Sequence, residues 1–237
     1  MRQILSYPVW GVLPLDDGFF YVKYQSKPTG VVVSYWFYDT QKETSLRVTS
    51  DEYLRQKFGK LYQTIVENIS PALQLSCQTA ESKKHLMLVN PQNGDFLLYG
   101  KKSGLILRED RLECDGYPVT SPVFAGGYCW GVCMKKNAVV CYETSEWTHY
   151  FKILKDVDEP LHLCSYTQPR GDIRLYVCLG DGRIRSFSTV ISKLDFQDFD
   201  EHIDLNDFLP LPGYRPLRYF RLGHQHYISF ADGVCKL

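Results

Sequence analysis

Short apolar runs alternate with glycine- and asparagine-bearing turns along nearly the whole chain. The stretch RLYVCLGDGRIRSFS (174–188) sets two such runs around Gly-Asp-Gly. KHLMLVNPQNGDFLLYG (84–100), YCWGVCMKKNAVVCYET (128–144) and HYISFADGVCKL (226–237) repeat the arrangement, and DGFFYVKYQSKPTGVVVSYWFYD (17–39) does so around a longer loop. Asn-Gly, Asp-Gly and glycine-rich turns supply the positive φ angles of tight hairpins, so each stretch reads as two antiparallel strands.

A further run precedes each hairpin and opens after a proline: PVWGVLPL from Pro8, PALQLSCQ from Pro71, PVFAGGYC from Pro122, PLHLCSYT from Pro160 and PLRYFRLG from Pro216. Proline is tolerated at the first residue of a strand and disfavoured inside a central one. Fourth strands are expected at 44–49, 104–108 and 147–154. The stretch 189–209 reads as irregular and acidic. RQILSY at the start of the chain is a spare strand that completes the last unit. One segment has a different period: in 50–70, Leu54, Phe58, Leu61, Ile65 and Ile69 fall at helical spacing, and Thr49 with Glu52 fits a capping box.

The first hairpin strands begin near 18, 85, 128, 173 and 226. With the helix of about 20 residues set aside, the spacing is that of a four-stranded propeller blade, roughly 40–50 residues. LYVCLGDGRIRSFS resembles the strand–turn–strand core of WD-repeat and quinoprotein-type blades. The chain therefore resembles a five-bladed β-propeller, all-β, as a single domain over 1–237 with a helical insertion at about 50–69. The Gly-His and Trp-Asp marks of WD repeats and the Gly-Gly of kelch repeats are missing, so no family within the superfamily is singled out. A β-sandwich with an inserted helix, or two small β domains joined near 110–120, are the alternatives.

Composition agrees with strands: the 17 Tyr and 13 Phe favour half-buried pleated surfaces. The 27 basic residues match the 27 acidic ones, so the basic excess of a nucleic-acid binder is missing. No apolar run reaches the roughly 18–20 residues needed to span a bilayer. Most of the eight cysteines sit in strand-like runs, where a thiol packs as a small hydrophobe. With no secretory leader visible, reduced cysteines and a cytoplasmic location are expected. The terminal Cys235-Lys236-Leu237 resembles a peroxisomal address, an alternative that conflicts with using those residues as a strand.

Candidate chemistry is sparse. His224 and His226 share a strand face, but no third ligand follows at metal-site spacing. Cys129 and Cys133 have no second pair for zinc. The acidic segment 195–208 lacks the glycine of a Ca²⁺ loop. Lys101-Lys102, Lys135-Lys136 and Arg183/Arg185 are basic spots near hairpins that would bind anions only if gathered on one rim. Trp10, Trp36, Trp130 and Trp147 read first as packing residues. No catalytic residue, metal or cofactor is assigned.

In a propeller, the loop entering each inner strand and the turn after each second strand lie on one face. This makes Tyr7, Tyr117, Glu159, Arg215 and Asp181 the candidate binding residues, with the turns near Pro28, Asn93, Lys136 and Asp232. The function expected is a non-enzymatic interaction or scaffold module with a protein partner, and membership of a complex is compatible with it. A glycan-binding lectin needs near-identical sites in every repeat, which these divergent units lack. A propeller hydrolase needs paired carboxylates on the inner strands. The inner strands expected at 8–15, 71–78, 122–129, 160–167 and 216–223 hold no Asp or Glu, and Asp16 and Asp17 lie just past the first.

Overall fold

The computed structural model describes residues 2–7, 9–15, 17–145, 147, 150–167, 171–190, 197–204, 216–230 and 233–237. Strand β1 (Arg2–Leu5) opens the chain and is used last. The first sheet follows in meander order, β2 (Val9–Leu15), β3 (Gly18–Lys27), β4 (Gly30–Asp39) and β5 (Thr44–Arg47). A helical segment comes next: α1 (Glu52–Phe58), α2 (Lys60–Thr64), a widened π turn (Ile65–Ile69) and α3 (Ser70–Gln74). The second sheet holds β6 (Gln78–Glu81), β7 (His85–Val89), β8 (Asp95–Gly100) and β9 (Ile106–Arg111). A two-stranded hairpin, β10 (Glu113–Cys114) and β11 (Tyr117–Pro118), precedes the third, β12 (Thr120–Ala125), β13 (Tyr128–Cys133), β14 (Ala138–Glu143) and β15 (Tyr150–Leu154). The fourth is β16 (Pro160–Thr167), β17 (Asp172–Leu179), β18 (Arg183–Val190) and β19 (Gln197–Asp204). In the fifth, β20 (Arg218–Leu222), β21 (Gln225–Phe230) and β22 (Gly233–Lys236) receive β1 on the outer edge.

Each of the five sheets is thus a four-stranded blade, and the last is closed by the start of the chain, as the spare RQIL run implies. Arg2 pairs with Lys236 and Gln3 with Cys235. The stretch 189–209, read from sequence as irregular, supplies strand β19. The run of acidic residues there hides a strand whose backbone pairs with β18, Arg183 opposite Asp204 and Phe187 opposite Asp198.

Contacts divide the chain into two compact units, Met1–Val89 with Phe96–Glu109 and Pro216–Leu237, and Asn90–Asp95 with Asp110–Arg215. In the first unit the helical segment packs on the first two sheets. Leu54, Leu61, Ile65, Ile69 and Leu73 are all buried against Leu13, Phe20, Phe37, Leu86 and Leu88. The apolar stripe legible at helical spacing therefore faces a core, and each such side chain contributes roughly 1.5–3 kcal/mol of burial. The approach to β2 is close enough that a Cβ on Gly11 would lie 2.5 Å from the Leu73 carbonyl oxygen. In the second unit, Leu175, Val177 and Leu179 of β17 pack with Trp130, Val132 and Val139 of the neighbouring sheet.

Two expectations are corrected here. Asp51, not Thr49, caps the helix, its carboxylate accepting the Leu54 N–H at 3.1 Å. The helical segment also runs on to Gln74, so Pro71 opens no strand. It lies at the start of α3, just after the widened turn, where proline is tolerated. The inner strand of the second sheet is consequently Gln78–Glu81 rather than 71–78, and it carries a carboxylate, Glu81.

The depth of the helical packing is testable. Leu73→Ala is expected to cost about 2–5 kcal/mol, as for other buried leucines. Leu75→Ala, two residues on and 76% exposed, is expected to stay within about 0.5 kcal/mol of the parent. Urea unfolding midpoints of the two variants check this.

Candidate functional site

The loops that lead into the inner strands build two exposed corners in the second unit. Just ahead of the third sheet, Asp115 and Gly116 form the turn between β10 and β11, both at positive φ (52° and 81°). The Asp115 carboxylate accepts the Tyr150 hydroxyl and lies 3.3 Å from Lys136 Nζ. That hydrogen bond pushes the Tyr150 phenol up to about 12. Lys136, at the turn between β13 and β14, sits 5.2 Å from the Tyr117 ring centroid. The residue before the inner strand and the residue at the second turn thus meet, as blade geometry requires.

The fourth sheet repeats this. Glu159, just ahead of β16, accepts the Gly180 N–H through its carbonyl at 2.9 Å. Its carboxylate lies over Gly180 so closely that a Cβ there would meet Oε2 at 2.1 Å. Glu159 is exposed and held at φ 43°, a left-handed conformation that a non-glycine residue adopts only when its surroundings impose it. One residue on, Asp181 accepts the Arg183 N–H at 2.9 Å and the Arg183 Nε at 2.7 Å. Burial raises the Asp181 carboxyl, but the contacts with Arg183 together outweigh it and hold the group below its ordinary value.

The first unit treats its candidates differently. Tyr7 is half-buried, its hydroxyl 2.5 Å from that of Tyr21, with Lys23 Nζ 3.9 Å from its ring centroid. It does not meet the turn at Pro28, because β3 and β4 stay paired well past it, out to Lys27 opposite Gly30. Arg215 lies outside the described residues, as do Asp16 and Asp232. In the acidic segment 195–208, positions 195–196 and 205–208 fall outside them too.

The remaining motifs resolve into structure. His226 is half-buried, hydrogen-bonded through Nδ1 to the Tyr219 hydroxyl and stacked on its ring at 5.7 Å, whereas His224 stands in an exposed turn. Burial, with the charge of Arg221 adding to it, lowers the His226 pKa to about 4. Cys129 and Cys133 are buried, and none of the eight cysteines is in a disulfide. Burial pushes the Cys141 and Cys178 thiols up to about 12, far from the thiolate needed for metal or redox work. Trp130 donates to the Ala125 carbonyl at 3.0 Å, and Trp147 is edge-on to Phe124. The basic spots each keep a local partner. Lys101 pairs with Glu81, Lys136 with Asp115 and Arg183 with Asp181, and Arg185 lies over the Phe187 ring. They are not an unopposed basic rim.

One side chain escaped the sequence reading. Arg218, at the start of β20, is only 8% exposed. It reaches the first residues of β6, donating through Nη2 to the Thr79 carbonyl at 2.6 Å, while the Thr79 hydroxyl donates to Val12 of β2. The available signal was its phase: Arg218 falls two and four residues before Phe220 and Leu222, on the face those residues bury.

No family model matches the chain, and no curated relative does. Solved structures do. A selenomethionine-substituted virginiamycin B lyase from Staphylococcus aureus superposes with TM-score 0.52 at 12% identity, over 100% of this chain and 97% of that one. A catalytically inactive variant of that lyase with quinupristin gives 0.51 at 14%, over 96% and 79%. Myxococcus xanthus glutaminyl cyclase gives 0.50 at 8%, over 99% and 92%. The chain is a five-bladed β-propeller. At such identities the likeness carries the propeller fold and no functional residue.

The His226 environment sets a pH dependence. The folded pKa lies below the ordinary value near 6.5, so between about 6.5 and 4 the unfolded chain binds the extra proton. Stability contributed by neutral His226 is complete above that window and is lost as pH falls through it, by roughly 3 kcal/mol in full. His226→Asn, which keeps an acceptor for Tyr219, is expected to flatten this limb in chemical melts taken from pH 7 to 4.

Proposed function

We propose that this propeller is a non-enzymatic protein–protein interaction module that works through the loops preceding its inner strands. The supporting observation is the pair of corners in the second unit. There Tyr117 with Lys136, and Glu159 with Asp181, are exposed yet fixed by turns, ion pairs and left-handed backbone. Preorganised exposed groups lose little entropy on association, which suits recognition of a folded surface. We further propose that 1–237 acts as one domain, in the cytoplasm.

A protein partner is favoured over a glycan by the outer strand of the second sheet. Leu105, Ile106 and Leu107 are 67%, 47% and 56% exposed in succession, an aliphatic strip that suits protein rather than sugar contact. The hydrolase reading regains one carboxylate, Glu81 on β6, but that group is committed to Lys101.

Capture from the native cell, followed by mass spectrometry, tests the face. Tyr117→Ala, Glu159→Gly and Asp181→Ala combined are expected to weaken the recovered partner at least about tenfold, a loss typical of two or three interface contacts. Glu159→Gly relieves the left-handed backbone, so the variant's melting temperature is expected not to fall on its account. Undiminished capture by a folded triple variant rejects this face.

A further inference from the structure

Arg218 is a buried cation with no counterion among the described residues. Its Nη2 has the single acceptor at Thr79, and its Nε is sealed from solvent with no acceptor. Directly across the ladder, Ser229 is its register partner, and Ser229 Oγ is likewise buried with no hydrogen-bond partner. Register partners on adjacent antiparallel strands project to the same face. The next pair along that face, Phe220 and Tyr227, stacks at 5.4 Å and confirms the direction. Two unsatisfied donors, one charged, therefore lie on one face of the sheet, next to the apolar cluster that holds Phe220, Tyr227, Val9 and Val12.

Leaving such groups unsatisfied is costly, and a guanidinium most of all. Burial alone draws the Arg218 pKa down to about 10, with no carboxylate to offset it, and the group still stays charged at neutral pH. A purely structural staple to the Thr79 carbonyl needs one neutral donor. A planar guanidinium on the same face as a hydroxyl is instead a donor set that suits an oxyanion, with the Arg218 Nε–H and the Ser229 hydroxyl as the donors left open. We propose that Arg218 and Ser229 form an anion-binding site for a small oxyanion, a carboxylate or a phosphate, at the start of β20. The site does not depend on the interaction face proposed above, which rests on the other unit.

The test is thermal unfolding of the full chain at constant ionic strength, titrated separately with sodium phosphate and sodium acetate against sodium perchlorate as the ionic-strength control. A saturable rise in Tm of roughly 2–8 °C with phosphate, acetate or both supports the site, and which of the two saturates identifies its source. Arg218→Gln, which keeps a donor for Thr79, is expected to abolish the rise. Ser229→Ala, which removes only the hydroxyl, is expected to weaken it several-fold while the protein remains folded. It therefore carries the test should the arginine variant fail to fold. No saturable rise with either anion, or the same rise in Ser229→Ala as in the parent, overturns the proposal.

Discussion

The pairing of the first strand with the last holds the first unit in the form described. Without β1, the fifth sheet has three strands and β22 shows an unpaired edge, the template on which other chains add. Joining the two ends orders a contact of the longest possible sequence separation, at an entropic cost that grows only slowly with loop length. The junction is tight. A Cβ on Gly233 would lie 2.0 Å from the Leu5 carbonyl oxygen, so only glycine lets the two strands close. Arg2 then reaches Glu43 on the first sheet through two parallel bonds of 3.0 and 2.9 Å, an exposed pair that orients more than it stabilises. With β20 fixed beside β2, Arg218 is carried to Thr79.

The helical segment is the other departure from a plain repeat of blades, and it shows where sequence reading reached its limit. Its stripe was legible because Leu54, Leu61, Ile65 and Ile69 keep a helical period on one side. Its end was not, because an apolar run opened by a proline is ambiguous. It opens a strand at Pro160 and sits in a first helical turn at Pro71. The widened turn at Ile65–Ile69 separates those cases, and no local sequence pattern marks it. Strand β19 was missed for a related reason. Its charges gave no period-two signal, and only pairing with β18 makes it a strand.

Blade architecture was readable because tight hairpins need particular residues, and Asp-Gly or Asn-Gly declare themselves. The two exposed corners followed from the same rule, since in any blade the loop before the inner strand meets the second turn. Tyr7 was placed by the same rule but lies away from the Pro28 turn, because β3 and β4 continue as an extended ribbon that packs against α3. Tyr24 there reaches the Gln74 carbonyl at 3.1 Å. Arg218 and Glu81 were invisible for a different reason. Their meaning depends on what lies across the inner strands, and a single strand does not state its neighbours.

The distribution of charge bears on how a partner would be held. Lys136 and Arg183 each keep an acid within ion-pair distance, at 3.3 and 2.7 Å, and the whole chain is balanced. Such a surface projects little long-range field, so it steers no partner and gains little in association rate. Affinity at these corners must then come from fit and from slow release, with tyrosine and aliphatic contacts supplying it. Arg218 is the opposite case: a charge with no acid beside it among the described residues, buried where salt screens weakly. The same neutral composition therefore contains cations that hold turns in place, such as Lys136 and Arg183, and a buried one, Arg218, held by a backbone carbonyl instead.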